Sequence, residues 1–590
     1  MSLNHQLSDL FRTMAAVFEI RGEPIFKSIA FSKVSRLLKD MTVDIKKLHD
    51  QDKLDEVEGI GNSSKKIIRD FISTGRSPDY EEVVASIPAG LIPLLDIPSL
   101  GPKTIRLFWK ERGVTNMEQL VKALDTGALD GLKGIGEKKL QSIKQGIDLL
   151  SQSAGRMGIV DAMPIATALV ERLRALKPIK QAEIAGSLRR CRETIGDVDL
   201  VCCLKDITHA EEISAAFTSF PEVERILGQG KTKASVLTVG GLQVDLRIVP
   251  VDNFGAALLY FTGSKDHNVR IRGMAIDKGL TLNEWGLYKL DEYEKSEKKT
   301  GEASAAKPVA CKTEEDIYKK LGMQWVPPEL REDRGEITAA VNDQLPDLIT
   351  LADIRGDLHS HTTASDGQAS IEQMAEAAKA LGYEFLAITD HSKSQVIANG
   401  LPADRLLKHI AAIRKAGDKI KGITLLAGSE VDILVDGRLD YDEKILAELD
   451  FVVASPHVSL KQDADKATAR ILRAIDSRYV NVIGHPTGRL IGSREGLPLD
   501  IDAVVQAAAA NGTALEINAG YPRLDLNDIH ARAALNAGVM LSINTDAHST
   551  EGFSEMIWGI QVARRAWATR KNVINCLSLS DLKKFISKKR

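Results

Sequence analysis

The chain has 590 residues, 44% of them hydrophobic and 27% charged, and its 78 Lys+Arg against 81 Asp+Glu leave a net charge of −3. This composition excludes a wholly disordered or collagenous chain, no apolar run approaches the roughly 18 residues of a membrane helix, and the length predicts about four domains. The first residues lack a basic cap before an apolar run, and the five cysteines, two of them adjacent, form no Cys-x-x-Cys pair; both point away from secretion and a disulfide framework and toward a reducing cytoplasm.

Residues 1–150 show helical periodicity broken by short glycine turns. Three turns share a pattern: Gly59-Ile60-Gly61 ahead of Lys65 and Lys66, Ser99-Leu100-Gly101 ahead of Lys103, and Gly134-Ile135-Gly136 ahead of Lys138 and Lys139. Glycine allows a tight turn and close approach of a ligand, and the helix start that follows offers free N–H groups to phosphate oxygens. A single copy would read as an ordinary turn between helices. Three copies resemble helix-hairpin-helix motifs, which grip a DNA backbone without reading sequence. In a chain this near neutrality, such binding must come from local basic groups.

From about residue 181 the pattern changes to short β-type runs at 182–188, 197–204, 234–239 and 242–249, with helices at 161–176 and 209–218. Asp197 and Asp199, two apart on one run, share a face, and their charges repel unless a cation lies between them. Asp245 sits on another apolar run. Three convergent carboxylates can hold two Mg²⁺ ions for in-line phosphoryl transfer. Gly186 and Ser187 would cradle triphosphate oxygens, with Arg190 supplying charge. A solvated Asp-x-Asp at a strand edge is the plain alternative, but the Gly-Ser upstream and the third aspartate favour a nucleotidyltransferase. Residues 291–308 read as a solvated loop and 334–352 as a second, weaker linker.

After residue 353 seven apolar runs alternate with helical stretches, and eight of the chain's 12 histidines lie here. The runs at 354–361, 385–391, 423–430, 451–457, 480–486, 513–519 and 539–548 predict a parallel sheet closed into a barrel. Most end in His, Asp or Glu, at the end of a parallel barrel that carries active sites. His359, His361, Asp366, His391, Glu430, His457, His485, Asp546 and His548 mix imidazole with carboxylate, which suits Zn²⁺, Mn²⁺ or Fe²⁺. Nine candidates are too many for one tetrahedral ion and imply two or three. His409 and His530 lie within helical stretches and are set aside.

The run Leu258-Leu259-Tyr260-Phe261-Thr262-Gly263-Ser264, followed by Asn268, Arg272 and Glu284, resembles the nucleotide-selecting part of family X DNA polymerases. Residues 1–333 are similar to that family in order. The resemblance implies a lyase-like helical domain at 1–80, fingers at 81–150, a palm at 151–262 and a nucleotide-binding subdomain at 263–333, followed by the linker at 334–352. It places Tyr260, Phe261 and Gly263 on the sugar side of the incoming nucleotide and Asn268 at its base. Arg272 and Glu284 fall near the template and primer side, and Arg156, 31 residues before Ser187, becomes a further triphosphate contact.

Residues 353–590 resemble a PHP (polymerase and histidinol phosphatase) domain. That implies a (β/α)₇ barrel with a trinuclear centre: His359, His361, Glu430 and Asp546 on one ion, Asp366, His391 and His548 on a second, and Glu430 sharing the third with His457 and His485. The combination is that of bacterial family X polymerases. The implied fold is multidomain, with an all-α helix-hairpin-helix region, an α+β palm and the barrel. The implied function is DNA-directed synthesis across short gaps in repair, with a metal-dependent 3′–5′ exonuclease, and abasic-site cleavage as an activity to be tested. Mg²⁺ or Mn²⁺ would serve the palm, with Asp245 taking the primer hydroxyl proton, and two or three Mn²⁺ or Zn²⁺ ions the barrel. The partners would be gapped or primer-template DNA and deoxynucleoside triphosphates, for a cytoplasmic monomer with no membrane partner. Two competitors are a PHP-type phosphatase with an inert front half and a DNA-binding scaffold without activity. In the animal relatives the lyase lysine lies six residues after the second glycine of the first hairpin. Here that position is Ile67, so weak or absent sugar-phosphate lyase activity is expected.

Overall fold

The computed structural model describes residues 3–40, 45–51, 53–57, 60–97, 100–153, 155–300 and 306–587. The chain divides into two compact units, Met1–Ala154 with Gly492–Arg494, and the remainder. No described helix is long and apolar enough to cross a membrane.

The first unit is helical. Helices Leu3–Arg21, Ile25–Asp40 and Asn62–Thr74 enclose a core that includes Phe11, Phe18, Phe31, Ile67 and Ile68. A second core, with Leu91, Ile105, Phe108, Leu120 and Ile143, lies among Pro102–Arg112, Met117–Asp125 and Glu137–Ser153. Gly61 and Gly101 stand directly before the first turns of their helices in extended conformation, with no side-chain cap. The opening amides of those helices are thus not satisfied by a capping side chain. Gly59 and Ser99 lie outside the described residues.

The second unit holds a five-stranded and a seven-stranded sheet, with two small two-stranded ones. In the palm, β1 (Ile179–Ile184), β2 (Asp197–Leu204), β3 (Val223–Gln229), β4 (Lys233–Thr238) and β5 (Gln243–Pro250) order as β1-β2-β5-β4-β3, and only β2 and β5 run parallel. The run expected as one strand at 182–188 ends at Ile184, and Gly186–Arg189 turns into a short helix. Strand β3 has no counterpart in the sequence reading, because it is solvent-facing along nearly its whole length and shows no alternation. The stretch expected as a loop at 291–308 begins instead as helix Leu290–Thr300, rich in the Lys and Glu that favour helix; residues 301–305 lie outside the described residues. The segment read as a linker at 334–352 carries helix Glu336–Val341, with Ile337, Ala340 and Leu348 packed into the core beside Tyr318 and Leu330.

All seven apolar runs of the C-terminal part contain strands: β6 (Gly356–Asp357), β7 (Phe385–Ile388), β8 (Thr424–Asp432), β9 (Phe451–Ser455), β10 (Val482–Ile483), β11 (Ala514–Asn518) and β12 (Leu541–Asn544). Each pairs in parallel with the next. A parallel bridge between Ser360 and Ala547 joins the extensions of the first and last strands, so the barrel is nearly closed. Its core is continuous with that of the palm.

Candidate functional site

In the palm, Asp199 on β2 lies directly opposite Asp245 on β5. The alternate residues Val198, Leu200, Val244 and Leu246 are buried on the other face, which leaves Asp197, Asp199 and Asp245 together on the open one. Burial, reinforced by the charges of Asp197 and Asp245, pushes the Asp199 carboxyl up to about 6. Such a trio favours a cation among its oxygens. Gly186 has a left-handed φ of +63°, and a Cβ there would stand 2.6 Å from Oδ2 of Asp199. Only glycine lets the turn that carries Ser187 settle on the carboxylates.

Arg190 caps that turn and donates from Nη1 to the carbonyl of Thr262 at 2.6 Å and from Nε to Glu332 at 3.2 Å. Arg156 is exposed; it donates to Oγ1 and the carbonyl of Thr194, and its guanidinium lies against Gly196. Tyr260 and Phe261 meet edge-to-face at 5.2 Å, with the Arg247 guanidinium 5.0 Å above Phe261. Gly263 takes a φ of +68° beside Arg190. Asn268 donates to the Tyr260 carbonyl at 2.8 Å, and Tyr260, Asn268, Arg272 and Asn283 line one recess. Glu284 is half-buried in the turn after Asn283.

One ion-pair group here was not read from the sequence. Buried Glu314 accepts both Arg189 and Arg331 bidentately, at 2.7–3.0 Å. Burial opposes its charge, but the two guanidiniums outweigh that and hold its carboxyl far below the usual range. His267, by contrast, is a core group, bound by Glu336 at 2.7 Å and the Tyr318 hydroxyl at 2.8 Å.

In the barrel the nine predicted ligands converge just beyond the strand ends. His359, His361, Glu430 and Asp546 form one group, and His361, Asp366, His391 and His548 a second. Within them, nitrogen–oxygen separations run from 2.9 to 3.9 Å. A third group joins His391, Glu430 and His457. His485 approaches Oε1 of Glu430 through Nε2, 2.9 Å away. Nε2 of His457 lies 3.2 Å from that same oxygen, while Nδ1 of His391 meets Oε2 of Glu430 at 2.8 Å.

The arrangement passes a direct test for divalent metals. Nε2 of His359, both ring nitrogens of His361, Oε2 of Glu430 and Oδ1 of Asp546 are buried with no hydrogen-bond partner. They approach one another without aligning as donors and acceptors, as ligands around a common ion would; bonds of about 2.0–2.2 Å give such separations. Burial opposes charge on His359, but Asp546, Glu516 and Glu430 hold it well above its ordinary range. Burial and then the neighbouring His548 and His391 push His361 down to about 4.

Two supporting carboxylates were missed. Glu516 takes Nδ1 of His359 at 2.8 Å, the amide of Asn544 at 2.8 Å and the backbone N–H of His485 at 2.6 Å. Asp432 takes Nδ1 of His457 at 2.5 Å. Each orients the ring whose other nitrogen faces the cluster. A lone glutamate inside the apolar run Ala514–Asn518 was the available signal. His409 serves Asp390 at 2.7 Å, a structural bond outside the cluster. The cluster opens on the side of Asp546 and His548 into a cavity of about 360 Å³, which Tyr521, Arg523 and Glu555 also line.

In the first unit, a Cβ placed on Gly61, Gly101, Gly134 or Gly136 would meet no described atom within 4 Å. Lys65 is turned inward to Asp55, whereas Lys66 is exposed and reaches both oxygens of Asp79 at 2.9 and 3.0 Å. Lys103 is exposed, 3.8 Å from Glu19.

A nucleotidyltransferase-type palm joined to a metal-binding parallel barrel and preceded by helix-hairpin-helix turns is the class that fold and sites define. Residues 257–332 match the DNA polymerase beta thumb model, 357–520 the PHP domain and 91–148 the SAM-like helix-hairpin-helix tandem. The chain is 37% identical over 581 residues to the DNA polymerase/3'-5' exonuclease PolX of Bacillus subtilis (strain 168), covering 98% of each. It is also 29% identical over 245 residues to a probable phosphatase of Thermoanaerobacter sp. (strain X514), 40% of this chain and 95% of that protein. The chain belongs to the family X DNA polymerases that carry a PHP domain.

Proposed function

We propose that the chain is a DNA-directed DNA polymerase that fills short gaps in repair and removes 3′ nucleotides through its barrel. The observation that carries the first half is the in-register pair Asp199–Asp245, with Gly186 packed onto it. Asp197, Asp199 and Asp245 would hold Mg²⁺ or Mn²⁺, which supplies charge neutralisation for in-line phosphoryl transfer. Asp245 accepts the proton of the primer 3′-hydroxyl as that oxygen bonds to the α-phosphorus and pyrophosphate leaves. Ser187, Arg190 and Arg156 bind the triphosphate, Tyr260, Phe261 and Gly263 the sugar side, and Asn268 the base edge; Arg272 and Glu284 face the template and primer.

In the barrel, the His, Asp and Glu ligands would hold two or three Mn²⁺ or Zn²⁺ ions, which supply Lewis-acid activation for phosphoester hydrolysis. Glu516 and Asp432 fix the ring orientations. Arg523 on the cavity wall offers a cation to the phosphate. Cleavage at abasic sites, where it occurs, belongs to this centre. Gly61, Gly101, Gly134 and Gly136 open their turns to a DNA backbone, with Lys66 and Lys103 nearby. Gly59 and Lys65 belong to the same motif, but the inward ion pair of Lys65 makes Lys66 the stronger phosphate contact. We place the activity in the cytoplasm and in a monomer.

The test is a gapped duplex with a 5′-phosphate at the downstream edge, incubated with deoxynucleotides in Mg²⁺ or Mn²⁺. Extension to the edge of the gap supports the reading, as does nucleotide release from an unpaired 3′ end. Release of phosphate from small phosphomonoesters with no extension under either metal would favour the phosphatase with an inert polymerase half.

A further inference from the structure

The turn that would hold the triphosphate is not supported by the palm alone. Arg565 ends helix Met556–Arg565, on the outside of the barrel. Its Nη1 donates to the backbone carbonyl of Arg190 at 2.7 Å and lies 3.0 Å from Oε1 of Glu332. That same carboxylate oxygen accepts Nε of Arg190 at 3.2 Å, and Arg192 stands 4.0 Å from it. Nη2 of Arg565 is held at 2.8 Å by Asp528, whose Oδ2 also takes Arg334 at 3.0 Å. The Arg565 side chain is 3% exposed. One barrel arginine therefore bonds the main chain of Arg190 directly and shares the carboxylate that holds its side chain.

The surroundings are tight enough to transmit position. Gly158 at the start of the palm has no room for a Cβ because Tyr521 of the barrel packs against it. Glu193, three residues after Arg190, is bound bidentately by Arg489 at 2.7 and 3.1 Å. A planar guanidinium suits a site that must meet a carbonyl and two carboxylates at once. A buried charge network of this kind contributes little net stability, and one use for it is to fix a geometry.

We propose that Arg565 is a positioning residue for nucleotide binding: it draws on Glu332 and anchors the Arg190 carbonyl, so that the Arg190 guanidinium stays beside Thr262 and Gly263 and available to a triphosphate. The proposal rests on the reading of Arg190 as a triphosphate contact. Without Arg565, Glu332 is left to Arg190 and Arg192 alone and pulls the guanidinium back.

The experiment uses the full chain and single-nucleotide incorporation on a gapped duplex at varied deoxynucleotide concentration. The variants are Arg565→Met, Glu332→Gln, the double variant and Arg190→Ala, with 3′–5′ exonuclease on a labelled single strand as the check that the barrel is intact. For Arg565→Met we expect the nucleotide KM to rise about tenfold with kcat held within about twofold, the pattern of lost ground-state binding. Exonuclease activity should persist. Glu332→Gln should restore much of the lost affinity in the Arg565→Met background, a suppression that general loosening of the fold would not produce. An unchanged KM in Arg565→Met, with Arg190→Ala raising it, would overturn the proposal and leave the reading of Arg190 standing. Unchanged KM in both would remove that reading and the proposal with it. If Arg565→Met loses both activities by unfolding, Arg565→Lys is judged by the same criteria.

Discussion

Asp197 of the palm stands exposed on a strand face, whereas His359 and His361 of the barrel have no solvent contact. The palm gathers three like charges on two strands, with glycine at the point of closest approach. The barrel gathers both signs from six of its seven strand ends and holds the rings with further carboxylates, Glu516 and Asp432. The difference follows from what each site must admit. A polymerase site takes a duplex end and a nucleotide together, so it stays open and its carboxylates remain mutually repelling until cations arrive. The barrel site is assembled in advance around Glu430, with a cavity beside Asp546 and His548.

This contrast predicts different sensitivities. In the open site, shape next to the carboxylates should matter most. Gly186→Ala adds a Cβ against Asp199 in a left-handed turn, and should cut nucleotide incorporation by about 10²-fold, the scale of an ångström-size misplacement, while exonuclease activity is retained. Steady-state incorporation at saturating nucleotide measures it. In the buried site, the supporting row should matter. Glu516→Gln removes the carboxylate behind His359, and a loss of about 10–100-fold in metal affinity or hydrolysis is the expected scale for an outer partner. Metal titration of nuclease activity reads this, and extension should not change. Equal loss of both activities would mean that Glu516 serves only the fold.

Two smaller effects sharpen the contrast. Glu314 has its carboxyl depressed by Arg189 and Arg331, so the stability it contributes is present above the unfolded carboxylate pKa of about 4.3 and is lost as pH falls toward the lower folded value. Acid titration of unfolding should therefore be flatter in Glu314→Gln than in the parent. In the helical unit, Lys66→Ala should lower the salt slope of gapped-DNA binding by about 1. Borohydride trapping on a 5′ sugar-phosphate should give little adduct, because Asp79 raises the pKa of Lys66 and keeps its amine charged, and Ile67 is buried in the core. Efficient trapping lost in Lys66→Ala would contradict that.

Much of this was legible in the chain because the signals are periodic or local. Six strand-end ligand sets, the Asp-x-Asp pair and the glycine turns need only a few neighbouring residues to be recognised. What escaped depends on distance or on context. Strand β3 is exposed and carries no alternation to read. Helix Leu290–Thr300 is so polar that its composition resembled a loop. Glu314 meets Arg189 across 125 positions and Arg565 meets Glu332 across 233, separations that no local pattern encodes.

The central claim is that one chain carries two chemically separate centres. The most direct measurement follows extension and 3′ nucleotide release on the same gapped duplex for Asp245→Ala and His359→Ala. Asp245→Ala should lose extension by about 10²–10⁴-fold, the range for a removed general base, and keep nuclease activity; His359→Ala should do the reverse. Loss of metal-dependent cleavage in Asp245→Ala, with the fold intact, would contradict the account.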